Sequence, residues 1–155
     1  MSSSAAREQL RSLPPRVVIY DGPSAIDGTP IVVVVACIAQ RTWNEKTGDM
    51  AQAYILRRDE HPSTAAKQGR DRCVCGDCRY RPSTPGESCY VNLGQAAGNI
   101  WRAWSKGNDP RISDPVQVAS LFAGVDIRIG AYGDPAAVGD KKDKAPSRCQ
   151  RGDPR

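Results

Sequence analysis

Apolar and β-branched residues dominate the N-terminal part of the chain in three short runs. These runs lie at residues 16–20, 31–40 and 51–57, and segments rich in Gly, Asp and Pro separate the first two. The second run is apolar at successive positions, which is typical of a central strand covered on both faces. The pattern therefore predicts an antiparallel meander of three strands, with a polar hairpin connection at residues 43–50.

A helical spacing replaces the strand pattern in the second half of the chain. Apolar residues recur at helical spacing over residues 93–106, and Asp114 before Pro115 marks the start of a further helix. A short helix is also predicted at residues 61–69, a strand at 125–130 and the start of a helix at 133–138. This order predicts an α/β or α+β fold: an N-terminal meander, a Cys-rich loop, and then βα units resembling part of a larger α/β fold.

The two ends of the chain lack such periodicity. Residues 1–15 are rich in Ser and Ala and end in a Pro pair, whereas residues 139–155 are charged and contain further prolines. Both segments are predicted to be disordered. A single α/β domain at residues 16–138, with a Cys-rich insert at 71–92, lies between them. No signal peptide is recognised and no apolar run reaches the ~20 residues of a membrane span, so a cytoplasmic location is predicted.

Four of the six cysteines fall in one segment that is rich in Pro, Gly and Arg: Cys73, Cys75, Cys78 and Cys89. In a C-x2-C pair a tight turn brings both sulfurs to one side, and a more distant Cys can complete a thiolate site. The spacing therefore predicts Cys75, Cys78 and Cys89 as metal ligands, with Cys73 as the obvious fourth.

Several alternatives remain open for this segment. Zinc and an iron–sulfur cluster cannot be separated by ligand count, because both accept four cysteines. His61, Asp77 or an exogenous group could replace Cys73 as the fourth ligand. The thiols could also be unliganded, or Cys75 and Cys78 could form a redox disulfide, although the thioredoxin-like βαβ context is missing.

The net charge of +5 is concentrated around the cysteines. Four arginines surround them: Arg70, Arg72, Arg79 and Arg81. A basic patch at this place predicts a contact with nucleic acid that weakens as salt is added. The alternative is that these arginines offset the negative charge of a thiolate–metal site.

Three polar residues are candidates for catalysis if the cysteines belong to an enzyme. Gln95 lies close to the predicted start of the 93–106 helix, whose dipole could act on an exposed ligand. Tyr132 and Asp134 follow the predicted strand at its carboxyl end, where ligands bind in open α/β sheets. The position of Asp134 before Pro135 also fits a helix N-cap. The sequence leaves open whether the protein is an enzyme.

Four motifs, in this order, resemble an uncharacterised family carried by actinobacterial plasmids, phages and chromosomes: KTGDMAQAYIL, CGDCRYR…CYVNLGQA, IWRAWSKG and RIGAYGDPAAV. The resemblance covers roughly residues 17–138 and matches Cys75, Cys78 and Cys89. It implies longer relatives with a second cysteine group, so this chain, which departs at Gly139, looks C-terminally truncated. The leading hypothesis is a metal-binding protein of this mobile-element family. The alternative is a truncated fragment of an Fe–S or zinc-dependent enzyme with a catalytic cluster.

Overall fold

A computed structural model describes residues 3–37, 48–81 and 89–139. In chain order the elements are α1 (Ser3–Ser12), β1 (Arg16–Pro23), β2 (Pro30–Ala36), β3 (Ala51–Arg57), α2 (Pro62–Lys67), α3 (Arg72–Cys75), α4 (Gly98–Ser105), α5 (Pro115–Leu121) and β4 (Ile127–Tyr132). A π-helical turn (Leu93–Ala97) precedes α4, and a 3-10 turn (Pro135–Ala137) follows β4. The strands form one four-stranded mixed sheet. The predicted α/β or α+β fold class is therefore confirmed.

The first three strands form the antiparallel meander that the sequence predicts. β2 lies in the middle and pairs with β1 on one side and with β3 on the other. Every residue of β2 from Ile31 to Ala36 is buried, because both faces of this strand are covered. Its valines suit this position, since β-branched side chains pack well on a pleated surface. The hydrophobic core is centred on this strand.

β4 lies beside β3 and runs parallel to it. Gln52 pairs with Arg128 and Tyr54 pairs with Tyr132, so β4 contains a bulge of extra residues between these two pairs. Gly130 lies in this bulge with a φ of 72°, a conformation that favours a residue without a Cβ atom. Beyond the bulge the strand continues to Tyr132, which is buried.

The N-terminal segment differs from the prediction. Residues 1–15 were expected to be disordered, but Ser3–Ser12 form α1, and the side chains of Leu10 and Leu13 are buried in the core. The Gln9 side-chain amide donates to the carbonyl of Ala123, which ties the helix to the chain after α5. Composition was the wrong guide here, because Leu10 near the end of α1 and Leu13 just after the helix both reach the core.

The predicted helices are present with shorter bounds. Gly107 ends the α4 region with a φ of 77°, as expected of a helix-terminating glycine. The Asp114 side chain accepts from the backbone N–H of Val116 and so caps α5. The 93–106 helix is divided, because its first five residues, Leu93–Ala97, form the π-helical turn. The Cys-rich loop contains a helix that was not predicted, the four-residue α3.

Two predicted segments fall largely outside the described residues. They are the hairpin connection at residues 43–50 and the charged tail after Gly139.

Candidate metal centre

The Cys-rich segment is attached to the sheet at the carboxyl end of β4. The backbone N–H of Asp134 donates to the carbonyl of Val74 in α3 at 2.6 Å. Gly133, with a φ of 85°, makes this approach possible, because a Cβ atom there would lie 2.7 Å from Ile55 Cβ and 3.2 Å from Val74 O. The bulged strand and the helix bearing the cysteines are therefore in direct contact.

Cys75 and Cys78 lie on a tight turn that follows α3. Gly76 has a φ of 57°, and the Cys78 N–H donates to the Cys75 carbonyl at 3.2 Å. Cys75 is partly buried, Cys78 is exposed, and Cys89 is partly buried. The turn that the C-x2-C spacing predicts is therefore present, and it runs from a partly buried thiol to an exposed one.

The electrostatics of Cys75 link it to the other two thiols. Burial raises the pKa of the Cys75 thiol to about 12, and the charges of Asp71, Cys89 and Cys78 raise that pKa further, while Tyr132 lowers it. The Cys75 thiol is therefore within electrostatic range of the other two cysteines, although Cys89 is distant along the chain. At neutral pH the metal-free Cys75 is a thiol, so a bound cation would displace its proton.

Cys73, the expected fourth ligand, differs from Cys75, Cys78 and Cys89 in being fully buried. Its side chain is fully buried, and its Sγ donates to the Arg70 carbonyl at 3.5 Å. Burial, followed by the charge of Asp27, raises the pKa of Cys73 to about 11. Residues two positions apart on a helical turn point to different sides, so Cys73 and Cys75 are not neighbours on one helix face. Cys73 is a buried core thiol, whereas Cys75 begins the turn that leads to Cys78.

Asp71 and Arg81 form a buried ion pair within the Cys-rich segment. Arg81 Nε and Nη2 both donate to Asp71 Oδ1, at 3.0 and 2.6 Å. The same guanidinium donates to the carbonyls of Gly69 and Gly76, so it closes the loop that contains α3. Asp71 is 0% exposed and the Arg81 side chain is 14% exposed. Arg81 was predicted to contact nucleic acid, but its donors are directed at these acceptors inside the protein.

Two buried oxygens near Cys75 have no hydrogen-bond partner in the described structure. They are Asp71 Oδ2 and the hydroxyl oxygen of Tyr132. Tyr132 lies beside the Cys75 thiol without reaching the full geometry of a hydrogen bond, and burial raises the pKa of this tyrosine above its usual range.

The described residues do not contain a finished metal site. Within residues 3–37, 48–81 and 89–139, no group of three or more His, Cys, Asp or Glu side chains is already placed to hold a metal ion. These ranges include Cys75, Cys78 and Cys89, so the three thiols do not form such a group as they are placed in the structure.

The other predicted arginines lie on the surface, and two of them have acidic neighbours. Arg70 pairs with Glu60, and Arg72 pairs with Asp77 at 3.1 Å. The Arg79 guanidinium lies 5.2 Å from the ring centre of Tyr80. These contacts moderate the positive charge of the predicted patch without burying it.

Of the three catalytic candidates, only Tyr132 lies against the cysteine group. The Asp134 carboxylate accepts from the Ala136 N–H at 2.9 Å, which is the predicted N-cap role. Gln95 is exposed. Its backbone N–H donates to Oδ1 of Asn92, the residue that caps the π-helical turn. His61 is an N-cap as well, because its Nδ1 accepts from the Ser63 N–H.

Sequence reasoning did not identify Asp71 as a possible site residue. Asp71 is the N-cap residue of α3, and its carbonyl accepts from the Cys75 N–H at 2.9 Å. The Pro- and Gly-rich composition of the segment hid this helix.

The fold and the site together define a small mixed-sheet domain with a cysteine-bearing loop docked at the end of its parallel strand. Comparisons with protein-family models, with curated proteins and with solved structures found no match. The resemblance to the mobile-element family therefore stays a prediction. Among the helices of the described residues, none has the length and apolar character needed to cross a membrane.

Proposed function

We propose that this protein is a metal-binding protein in which Cys75, Cys78 and Cys89 supply thiolate ligands. The observation that carries the proposal is the tight turn at Gly76, across which the Cys78 N–H donates to the Cys75 carbonyl at 3.2 Å. Cys89, from a separate part of the chain, acts electrostatically on the Cys75 thiol. A bound cation stabilises the thiolate form of a cysteine and lowers its pKa.

The surroundings of the thiols support this proposal. The turn at Gly76 gives Cys75 and Cys78 the arrangement found in thiolate sites of the C-x2-C type. A cytoplasmic, reducing location would keep these thiols available for a metal ion. Both zinc and an iron–sulfur cluster are compatible with three thiolates and a further ligand.

Metal analysis of the purified full chain tests the proposal. Protein prepared without oxygen is expected to contain a bound metal, and Cys75→Ser, Cys78→Ser and Cys89→Ser are each expected to lose most of it. Cys37→Ser is the matched control, because Cys37 is a buried cysteine that follows β2. Colourless protein with zinc or brown protein with iron and sulfide would identify the metal. Wild-type protein with no metal after reconstitution with zinc or with iron and sulfide would refute the proposal.

A second candidate function, binding of single-stranded nucleic acid, is favoured by two exposed tyrosines beside the cysteines. Tyr80 is 49% exposed below Arg79, and Tyr90, which follows Cys89, is 80% exposed. Arg128 Nη2 donates to the Tyr90 hydroxyl at 2.9 Å. Aromatic rings combined with basic groups are typical of surfaces on which bases stack.

This second proposal has its own test. We expect a labelled single-stranded oligonucleotide to bind the protein less tightly as salt is added, and the double change Tyr80→Ala and Tyr90→Ala to weaken binding at least about tenfold. Arg102→Ala on α4 is the control for loss of one exposed positive charge. Equal affinity of wild type and the double variant would exclude stacking on these tyrosines.

A further inference from the structure

We propose that the outer edge of β4 is an interface at which a second copy of this chain adds its own β4 in antiparallel orientation. The register is centred on Ile127, so that Asp126 of each copy lies opposite Arg128 of the other. The proposal is independent of the metal-binding function, because none of these residues is a proposed metal ligand.

The two edges of the sheet differ in what covers them. β1 and β4 are its outer strands. In β1, Val18 donates its N–H to the carbonyl of Pro110 and accepts from the N–H of Ile112, both at 2.9 Å, so a loop covers the middle of that strand. Within the described residues, neither a strand nor an isolated bridge pairs with the outer side of β4. An uncovered edge strand is a template for pairing with another chain.

The backbone of Ile127 supplies the hydrogen-bonding groups of this edge. Ala51 of β3 pairs with Ile127, and the Ala51 N–H donates to the Asp126 carbonyl at 2.9 Å. In a parallel ladder a residue bonds to the two neighbours of the residue opposite it, so the N–H and C=O of Ile127 itself point away from β3. In an antiparallel pair centred on Ile127, these groups bond to the same groups of the second copy.

The charges on either side of Ile127 make this edge complementary to itself. Asp126 is exposed and Arg128 is partly exposed, and Arg128 donates to the Tyr90 hydroxyl through one nitrogen only, Nη2. With Ile127 opposite itself, Asp126 of one copy faces Arg128 of the other, and the two-fold symmetry repeats this pair. Opposite charges at directly opposed positions stabilise an antiparallel pair, whereas like charges destabilise it. Charge complementarity therefore favours a second copy as the occupant of this edge.

The bulge of β4 limits the interface to a short segment. The bulge begins after Arg128, and a bulge bends its strand and interrupts the pairing. The contact therefore covers residues 125–129, with Ile129, which is 67% exposed, opposite the partly buried Val125. This contact is smaller than a standard protein–protein interface, so we expect a weak dimer that dissociates on dilution.

Sedimentation of the full chain between about 1 μM and about 1 mM tests the proposal. A reductant and a chelator prevent the cysteines from linking two copies through a disulfide or a metal ion. Wild type is expected to change from monomer to dimer over this range. Asp126→Arg and Arg128→Asp each place like charges opposite one another, so each variant alone should dimerise at least about tenfold more weakly. Arg102→Asp on α4 is the matched charge reversal and should dimerise like wild type.

A mixture of these two variants provides the sharpest measurement. One copy is then positive at positions 126 and 128 and the other is negative at both, so opposite charges face each other again and the mixture should dimerise like wild type or more strongly. Ile127→Pro removes an outward N–H without removing a hydrogen bond to β3, which an edge strand tolerates, and it should abolish the dimer. Thermal unfolding verifies that each variant remains folded.

Each outcome supports or overturns the proposal. Wild type that stays monomeric up to about 1 mM overturns it. A dimer that persists unchanged in both single variants, or in Ile127→Pro, uses another surface and overturns it as well. Folded single variants that stay monomeric when they are mixed contradict the register and, with it, the proposed contact.

Discussion

The meander and the cysteine loop of this protein are stabilised by different forces. The meander, β1 to β3, is held by two antiparallel ladders and by continuous apolar burial along β2. The cysteine loop, defined as residues 69–81, has one short helix and is closed by a single guanidinium that reaches three acceptors. A periodic apolar pattern therefore builds the meander, whereas individual polar contacts build the cysteine loop.

A buried charge in the meander is expected to have the largest effect. Val34 is 0% exposed in the middle of β2. Val34→Asp should therefore cost more than about 4 kcal/mol of unfolding free energy, because an unpaired carboxylate cannot be solvated there. Urea unfolding followed by circular dichroism measures this loss. Val116→Asp is the control, since Val116 is 74% exposed on α5, and a comparable loss there would contradict the explanation.

The Arg81 contact is expected to matter almost as much, although it belongs to the loop. In metal-free protein, Arg81→Ala should cost about 3–5 kcal/mol, because it leaves the Asp71 carboxylate buried and unpaired. Arg72→Ala is the matched control: its pair with Asp77 is exposed, and its loss should cost at most about 1 kcal/mol. Equal stability losses in the two variants would mean that Arg81 does not hold the loop.

Gly133 tests the contact between the two regions. Gly133→Ala should cost about 3 kcal/mol, because a Cβ atom would lie 2.7 Å from Ile55 Cβ in a backbone conformation that is already strained for other residues. Gly28→Ala is the control, since Gly28 has a similar φ of 77° with no atom within 4 Å. It should cost only about 1–2 kcal/mol. Thermal unfolding of both variants isolates the cost of the contact from the cost of the φ angle.

A smaller effect is expected from pH at the helix that precedes the loop. Burial, followed by the charge of Arg102, lowers the pKa of His61 below its ordinary value of 6.5. The unfolded chain therefore takes up this proton more readily than the folded one, so folding stability is full above pH 6.5 and decreases below it. Protonation of Nδ1 also removes the acceptor for the Ser63 N–H.

The His61 effect is measured by comparing unfolding temperatures between about pH 7 and about pH 5. We expect His61→Asn to lose less stability than wild type over this range, because Asn keeps a capping oxygen without titrating. Identical pH profiles for the two proteins would place the titrating group elsewhere.

The two regions also differ in how much of them can be predicted from sequence. The third apolar run, residues 51–57, coincides with β3, since its succession of apolar residues is visible in the local sequence. The helix α1 was missed because Leu10 and Leu13 gain their meaning only from the core that they reach. In the loop, the turn at Gly76 could be predicted from spacing, but the burial of Cys73 could not, because it depends on how α3 packs. The Asp71–Arg81 pair follows no period, so only the structure reveals it.

The parallel pairing of β3 with β4 has a consequence for the order of folding. The meander joins neighbouring strands, whereas this pairing encloses residues 58–126 in one loop. The entropic cost of closing a loop grows with its length, and long-range pairings form slowly. We therefore expect the meander to form first and the cysteines to meet Tyr132 only when the last strand docks. A nascent chain would then expose its thiols until β4 has been synthesised, and that interval would allow the proposed metal ion to enter.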